Sequence, residues 1–206
     1  MHPPIFPKES LIVSHTKWIL YGLLAACLAL GACSKQDAET AAAAAPKRTA
    51  SLEIVSAEAK GFTVGALMAA NPVYVLFDPQ CPHCARLWGA STALQKKVKF
   101  VWIPVAFINA SSAPQGAALL TAADPATRMA EHEKSMLAGQ GGLSAPSSIA
   151  PETEQAIKNN TRLFNNLGME SVPFVIARNA RTGQTVSRAG AMETAALAEL
   201  LGVDPP

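Results

Sequence analysis

Two short apolar segments, residues 72–77 and 98–105, most limit the folds that this chain can adopt. Their sequences, PVYVLF and VKFVWIPV, are rich in β-branched and aromatic residues and lack alternating polar positions. This pattern is typical of strands that are covered on both faces. Residues 85–97 between them (ARLWGASTALQKK) carry apolar side chains at helical spacing. A strand–helix–strand unit with parallel strands and a right-handed crossover is therefore predicted.

Helices and a hairpin are predicted downstream of this unit. Residues 112–139 are predicted to be helical with a new helix at Asp124–Pro125, because aspartate accepts N–H groups as an N-cap and proline fits the first helical position. A helix over 151–168 follows, then the strand-like segments VPFVIAR and TVSRAG and the helical METAALAELLG. This order is the plan of an α/β thioredoxin-like fold, with a helical insertion between the strand–helix–strand half and the C-terminal hairpin–helix half.

The N-terminal region carries an unbroken apolar run over 18–30. The run is shorter than the about 20 residues of a membrane-spanning helix, which favours a secretory signal. The run ends at Leu30, the first residue of the stretch Leu30-Gly31-Ala32-Cys33. This stretch resembles a bacterial lipobox, in which the cysteine is lipidated after cleavage. We expect a lipoprotein signal peptide over 1–32, lipidation (palmitate among the acyl chains) at Cys33, a flexible tether over 33–51 and the folded domain over 52–206. In this pattern Ser34 favours the outer membrane.

Processing at this site would leave two of the four cysteines as thiols. Cys27 would leave with the signal peptide and Cys33 would carry lipid, so Cys81 and Cys84 would remain. A four-cysteine zinc site is thereby excluded, and we expect neither a metal nor a cofactor. The processed chain would be close to neutral, which gives no electrostatic case for nucleic acid binding.

The two remaining cysteines lie in the motif CPHC at the predicted start of a helix. The helix dipole and unpaired N–H groups favour a thiolate there, with Cys81 better placed than Cys84. Pro82 fits the first turn, and His83 can add positive charge or a hydrogen bond that lowers the pKa of the thiol. A stabilised thiolate makes the disulfide form a stronger oxidant. We therefore predict that Cys81 is the attacking thiol and Cys84 the resolving one.

Other interpretations of the pair remain open. A structural disulfide that encloses two residues adds little loop entropy, and a zinc site would need further ligands from His132 and carboxylates. A copper-binding or metallochaperone lipoprotein is the alternative from another functional class, because Met129, His132 and Met136 share a helical face and soft ligands suit Cu(I). Within the enzyme class, reduction of sulfenic acids or of disulfides is the alternative.

Three segments, FDPQCPHC (77–84), NNTRLFNNLGMESVPF (159–174) and AGAMETAALAELLG (189–202), resemble the catalytic domain of the periplasmic DsbC/DsbG disulfide isomerase family. The resemblance implies a redox disulfide between Cys81 and Cys84. It also implies a cis peptide at Val172–Pro173, facing the pair, where a substrate peptide can pair as an added strand. The implied partners are substrate proteins with cysteines and a membrane redox partner that resets the dithiol.

Two features depart from this family. The tether over 33–51 offers no counterpart of the family's N-terminal dimerisation domain, so we expect a monomer. The CPHC motif and the valine before Pro173 resemble the DsbA oxidases instead. Asp78 matches the DsbC/DsbG pattern, and we interpret it as a cap for the loop that enters the helix rather than as a catalytic group.

Overall fold

The structure, a computed structural model, describes residues 50–144 and 146–206. The predicted signal peptide over 1–32, the lipidation site Cys33 and all but the last two residues of the tether lie outside the described residues. No helix in the described ranges is both long enough and apolar enough to span a bilayer.

Helices and strands alternate along the described part of the chain. The helices are α1 (Leu52–Glu58), α2 (Pro82–Thr92), α3 (Ser112–Leu120), α4 (Pro125–Leu137), α5 (Pro151–Asn166) and α6 (Thr194–Leu201). The strands are β1 (Phe62–Gly65), β2 (Val73–Phe77), β3 (Lys99–Pro104), β4 (Phe174–Arg178) and β5 (Thr185–Ala189).

The strands form one sheet in the order β1-β3-β2-β4-β5. Strands β2 and β3 are parallel and joined through α2, which confirms the predicted strand–helix–strand unit. Strands β4 and β5 form the predicted antiparallel hairpin. The helix α1 and the antiparallel edge strand β1 were not predicted. With four residues and two buried positions, β1 is too short for its alternation to stand out in the sequence.

Both faces of the sheet are covered by apolar side chains, as the two opening segments predict. Along β2, Val75 and Phe77 belong to one buried cluster while Leu76 belongs to the other. Trp102 on β3 extends the first cluster, and its ring lies 5.5 Å from the ring of Phe77 in an edge-on arrangement. The helix α2 packs on this face through Trp88, whose ring centroid is 5.3 Å from that of Trp102. This packing fixes α2, and therefore its N-terminus, against the sheet.

The helical insertion between β3 and β4 consists of α3, α4 and α5. Asp124 caps α4, because its Oδ1 accepts a hydrogen bond from the Thr127 N–H at 3.1 Å, and Pro125 is the first helical residue. This N-terminus is confirmed as predicted.

A buried amide on α5 ties the insertion to the sheet. Asn160 Nδ2 donates to the carbonyl oxygens of Lys60 at 2.7 Å and Pro104 at 3.0 Å, and its Oδ1 accepts from the Lys60 N–H at 2.9 Å. Such a fully paired buried amide fixes orientation, since each lost bond would leave a polar group without a partner. The end of β3 is held at this point, next to the loop that borders the candidate site.

Candidate active site

The two cysteines of the CPHC motif lie at the junction of β2 and α2. Cys81 is the N-cap of α2 and Pro82 occupies its first turn, as predicted from the sequence. Both cysteines are free thiols. Cys81 retains 5% of its surface exposed and Cys84 retains 0%, whereas Pro82 and His83 are exposed. A reactant can therefore approach Cys81 more readily than Cys84.

The predicted proline faces the cysteine pair. The Val172–Pro173 peptide is cis. Cys81 Sγ donates a hydrogen bond to the Val172 carbonyl oxygen at 3.6 Å, so the structure brings together two regions that lie far apart in sequence. The Pro173 carbonyl oxygen accepts from the Gly190 N–H at 2.8 Å, which ties this turn to the residue after β5.

The Cys81 thiol is unusually acidic. A hydrogen bond from the Cys84 side chain, opposed by burial and supported by the backbone N–H groups of Cys84 and His83, lowers its pKa to about 7. The helix N-terminus thus acts as the sequence predicts, through its backbone N–H groups. The nearby charge of Asp78 acts against these hydrogen bonds and raises the pKa of Cys81 slightly.

The His83 ring contacts Arg86 on the exposed side of α2. Its Nδ1 lies 2.7 Å from the Arg86 guanidinium. A guanidinium can only donate, so Nδ1 accepts this hydrogen bond. The structure therefore brings His83 to Cys81 through its backbone N–H, and tuning by the ring stays a prediction.

Cys84 has the opposite character to Cys81. Burial raises its pKa well above the ordinary value, and the hydrogen bond and charge of Cys81 add to this effect. Two thiols separated by two residues therefore ionise in a fixed order. Such divergence of neighbouring pKa values is the pattern expected of a nucleophile and a protonated partner.

Asp78 connects the loops that surround the thiols. Its buried carboxylate accepts hydrogen bonds from the Gln80 N–H at 2.9 Å through Oδ1, and from the N–H groups of Phe107 at 2.9 Å and Ile108 at 3.1 Å through Oδ2. The interpretation of Asp78 as a loop cap is confirmed. The cap also reaches the segment after β3, which the sequence did not indicate.

Side chains of the insertion also support the loop before Cys81. Gln80 and Gln115 are joined through their amides, and Gln115 Nε2 donates to the carbonyl oxygens of Gly141 at 2.8 Å and Leu143 at 2.7 Å. Asn109 Nδ2 donates to Gln80 Oε1 at 3.0 Å. The loop after β2, the loop after β3 and the turn after α4 are thus one hydrogen-bonded unit.

His132 on α4 is fully engaged in this unit. Its Nδ1 accepts from the Leu143 N–H at 3.1 Å, so Nε2 carries the hydrogen and donates to the Pro79 carbonyl oxygen at 2.8 Å. Burial lowers its pKa and favours this neutral form. Of the other residues in the copper alternative, Met129 is buried in the core and the Met136 sulfur accepts from the Gln80 amide at 3.8 Å. The geometry gives this alternative no support.

One buried carboxyl near the thiols was missed by the sequence reasoning. Glu133 on α4 is 1% exposed, and burial together with the charge of Cys81 raises its pKa well above the usual range. A signal was present, because Glu133 follows Met129 by four positions and so lies on the same face of the helix.

Cys81 is expected to titrate in reduced protein with a midpoint of about 7. Replacing Cys84 with alanine should raise the midpoint towards about 8.5, because the strongest stabiliser of the thiolate is lost. Ultraviolet absorbance of the thiolate measures both values, and Cys84→Ser, which keeps a donor, should stay closer to wild type. Because folding lowers the pKa of Cys81, ionisation of this thiol adds to the free energy of unfolding. This contribution is fully present above the unfolded-state pKa and is lost as pH falls through about 7. Equal midpoints in Cys84→Ala and wild type would contradict the assignment.

Comparison with known proteins gives sequence relatives of one kind. No protein-family model matches the chain. The thiol:disulfide interchange protein DsbG of Pseudomonas aeruginosa is 30% identical over 141 residues, which cover 67% of this chain and 54% of that protein. DsbG of Escherichia coli K12 is 30% identical over 105 residues, which cover 50% of this chain and 42% of that protein. The chain spans about half the length of these curated relatives.

Comparison with solved structures supports the fold. A periplasmic thioredoxin-like protein from Salmonella enterica serovar Typhimurium superimposes with a TM-score of 0.57 at 20% identity, over 75% of this chain and 97% of that chain. The α/β thioredoxin-like fold with a helical insertion is therefore confirmed. With the sequence relatives, this fold shows that the chain is a DsbC/DsbG-like thioredoxin-fold protein.

Proposed function

We propose that this protein is a thiol:disulfide oxidoreductase that exchanges disulfides with cysteine-containing proteins through Cys81 and Cys84. The observation that carries the proposal is the unequal pair: the pKa of Cys81 is lowered to about 7, while that of Cys84 is raised. Dithiol exchange needs an attacking thiolate and a second thiol that stays protonated until it is used. The relatives' designation as thiol:disulfide interchange proteins supports the same chemistry.

The exchange proceeds in two displacements. The Cys81 thiolate attacks one sulfur of a substrate disulfide, forming a mixed disulfide and releasing the other substrate sulfur as a thiolate. Cys84 then loses its proton and attacks Cys81 Sγ, which closes the protein disulfide and releases the second substrate thiolate. The substrate is reduced by two electrons and the protein is oxidised by two. The reverse sequence donates a disulfide to a substrate dithiol.

The segment at the cis peptide supports the docking of an extended substrate. The Pro173 carbonyl is already bonded to Gly190, whereas the Val172 carbonyl faces Cys81. A substrate strand would therefore pair with the backbone of Val172 beside the reacting sulfur. This recognises main chain rather than particular side chains, which suits an enzyme that acts on many proteins.

Replacing Cys84 with alanine should trap substrate proteins on Cys81, because the mixed disulfide then has no resolving thiol. We expect covalent adducts that run as slower bands on non-reducing gels of membrane fractions and disappear with reductant. The double variant Cys81→Ala/Cys84→Ala is the matched control and should trap nothing. A Cys84→Ala protein that forms no adducts while Cys81 remains alkylatable would count against the proposed function.

The acidity of Cys81 bears on the direction of exchange. The CPHC motif predicts a strongly oxidising pair, as in DsbA, whose corresponding thiol has a pKa of about 3.5. The Cys81 pKa of about 7 is instead near that of thioredoxin. A less stabilised thiolate makes a weaker oxidant. This favours the reducing alternative, which includes reduction of disulfides and sulfenic acids, over a DsbA-like oxidase.

The reduction potential of the Cys81–Cys84 pair tests this direction. We expect a value closer to the about −270 mV of thioredoxin than to the about −120 mV of DsbA. Equilibration with glutathione or dithiothreitol redox buffers, read by alkylation of the free thiols, measures it. A reduction potential close to that of DsbA would instead establish an oxidase and contradict the reductase interpretation.

A lipid-anchored monomer in the periplasm is the proposed cellular form. It is supported by the apolar run before Cys33, the lipobox-like residues and the near-neutral charge of the processed chain. Ser34 favours the outer membrane, and a membrane redox partner would reset the dithiol. The lipid would keep the domain at the membrane surface.

Replacing Cys33 with alanine should abolish the lipid anchor, because no thiol remains for the thioether bond. We expect loss of labelling by radioactive palmitate and a shift of the protein from membrane to soluble fractions. Cys27→Ala, which lies inside the proposed signal peptide, is the control and should be labelled as wild type. Palmitate labelling that survives in Cys33→Ala would refute the assignment.

A further inference from the structure

The carboxyl of Glu133, on the helix that packs against α2, is buried without a hydrogen-bond partner. Neither Oε1 nor Oε2 bonds to any group in the described part of the chain, and the residue is 1% exposed. Met129, one turn earlier on α4, belongs to the same apolar cluster as Cys81 and Cys84. An unpaired buried carboxyl costs stability, so its presence at this place calls for a functional explanation.

Among the described residues, the charged group that shifts the pKa of Glu133 is Cys81, and no cation offsets this effect. The helix α4 packs against α2, α3 and β1, and of these α3 and β1 carry no titratable side chain. On α2, His83 and Arg86 are exposed and paired with each other, which leaves Cys84.

The remaining charged groups near Glu133 are engaged or exposed, and Lys134, the next residue on α4, is exposed. Asp78 is bonded to three backbone N–H groups, and on α4 itself His132 is neutral. Arg128, one turn earlier, pairs with Glu131 at 3.0 Å. The charge of Glu133 is therefore felt mainly by the thiols, and it raises the pKa of Cys84 while Cys81 raises that of Glu133.

We propose that Glu133 handles the proton of Cys84 during disulfide exchange. It takes this proton when Cys84 attacks the mixed disulfide, and it returns the proton when the protein disulfide is opened. The inference rests on the proposed dithiol exchange. The transfer requires the carboxyl and Cys84 Sγ to come within hydrogen-bond reach, directly or through one water molecule.

The steps balance in both directions. In resolution, Cys84 S–H gives its proton to the Glu133 carboxylate, and the resulting thiolate forms a bond to Cys81 Sγ as the bond from Cys81 to the substrate sulfur breaks. The electron pair of the broken bond leaves on the substrate sulfur. In the reverse direction a substrate thiolate attacks Cys81 Sγ, and Cys84 leaves as a thiolate that takes the proton from Glu133.

The charge on Cys81 sets the timing of the transfer. Burial raises the pKa of Glu133, and in the reduced protein the charge of the Cys81 thiolate raises it further, so Glu133 holds its proton. In the mixed disulfide Cys81 is uncharged, so this repulsion is absent and the carboxyl ionises more readily. Glu133 therefore becomes a base at the stage when Cys84 must lose its proton.

Rapid mixing of reduced protein with the aromatic disulfide dithiobis(nitrobenzoic acid) separates the two thiols. The first coloured thiolate is released by Cys81 and the second by Cys84. In Glu133→Gln we expect the first release to be close to wild type and the second to be about 100-fold slower near neutral pH. Glu133→Asp, which keeps an acid, should recover part of the rate, and Glu131→Gln, on the exposed side of α4, should match wild type.

A pH profile separates proton handling from a structural role. The second release in Glu133→Gln should rise with pH across the range, whereas wild type should reach a plateau once Glu133 is ionised in the mixed disulfide. The thermal midpoint of Glu133→Gln should not fall, since the substitution removes a buried ionisable group. An unchanged second release and pH profile in Glu133→Gln would overturn the inference. If wild-type protein gives no first release, the proposed dithiol exchange itself fails.

Discussion

The carboxylate of Asp78 is the contact on which the rest of the site depends. It lies one residue beyond β2 and accepts three backbone N–H groups, from Gln80 and from Phe107 and Ile108 in the segment after β3. Without it these three donors would lose their partner, at about 1–3 kcal/mol for each group left buried and unpaired. Two loops that begin on neighbouring parallel strands are thereby held together, and α2 begins from a fixed position.

The carboxylate of Asp78 holds the loops of the site together, but its charge also disfavours the Cys81 thiolate. Its charge raises the pKa of Cys81, while the Cys84 side chain and the N-terminus of α2 lower that pKa. Burial raises that pKa more than Asp78 does, and the balance of these effects is a pKa of about 7. The motif CPHC alone predicts more thiolate stabilisation than the folded site provides.

The sequence predicted those parts of the structure that local patterns determine. Uninterrupted apolar runs identified β2 and β3, Asp124 identified the start of α4, and proline chemistry identified the start of α2. The cis peptide before Pro173 was expected only through the family resemblance, since no local pattern requires it.

Other parts depend on packing between distant segments, and local patterns indicate them weakly or not at all. The helix α1 and the strand β1 are short, and β1 is defined by its pairing with β3. Glu133 would ordinarily be assigned to a solvated helix face, since glutamate is seldom buried. Its burial follows from the packing of α4 on α2, which is set by Met129 in the core and by His132 bonded to Pro79.

The two thiols and Glu133 oppose one another's ionisation. Cys81 and Cys84 belong to one apolar cluster with Met129, and Glu133 lies one turn further along the same helix, which packs against α2. A charge on Cys81 raises the pKa of Cys84 and of Glu133, while the N-terminus of α2 favours the negative charge at Cys81. Ionisation of one group therefore keeps the others protonated. A mixed disulfide between Cys81 and a substrate removes the negative charge from the Cys81 sulfur, so Glu133 ionises more readily. Bond formation at Cys81 thus controls when Cys84 can lose its proton, and the insertion that carries Glu133 becomes part of the redox site.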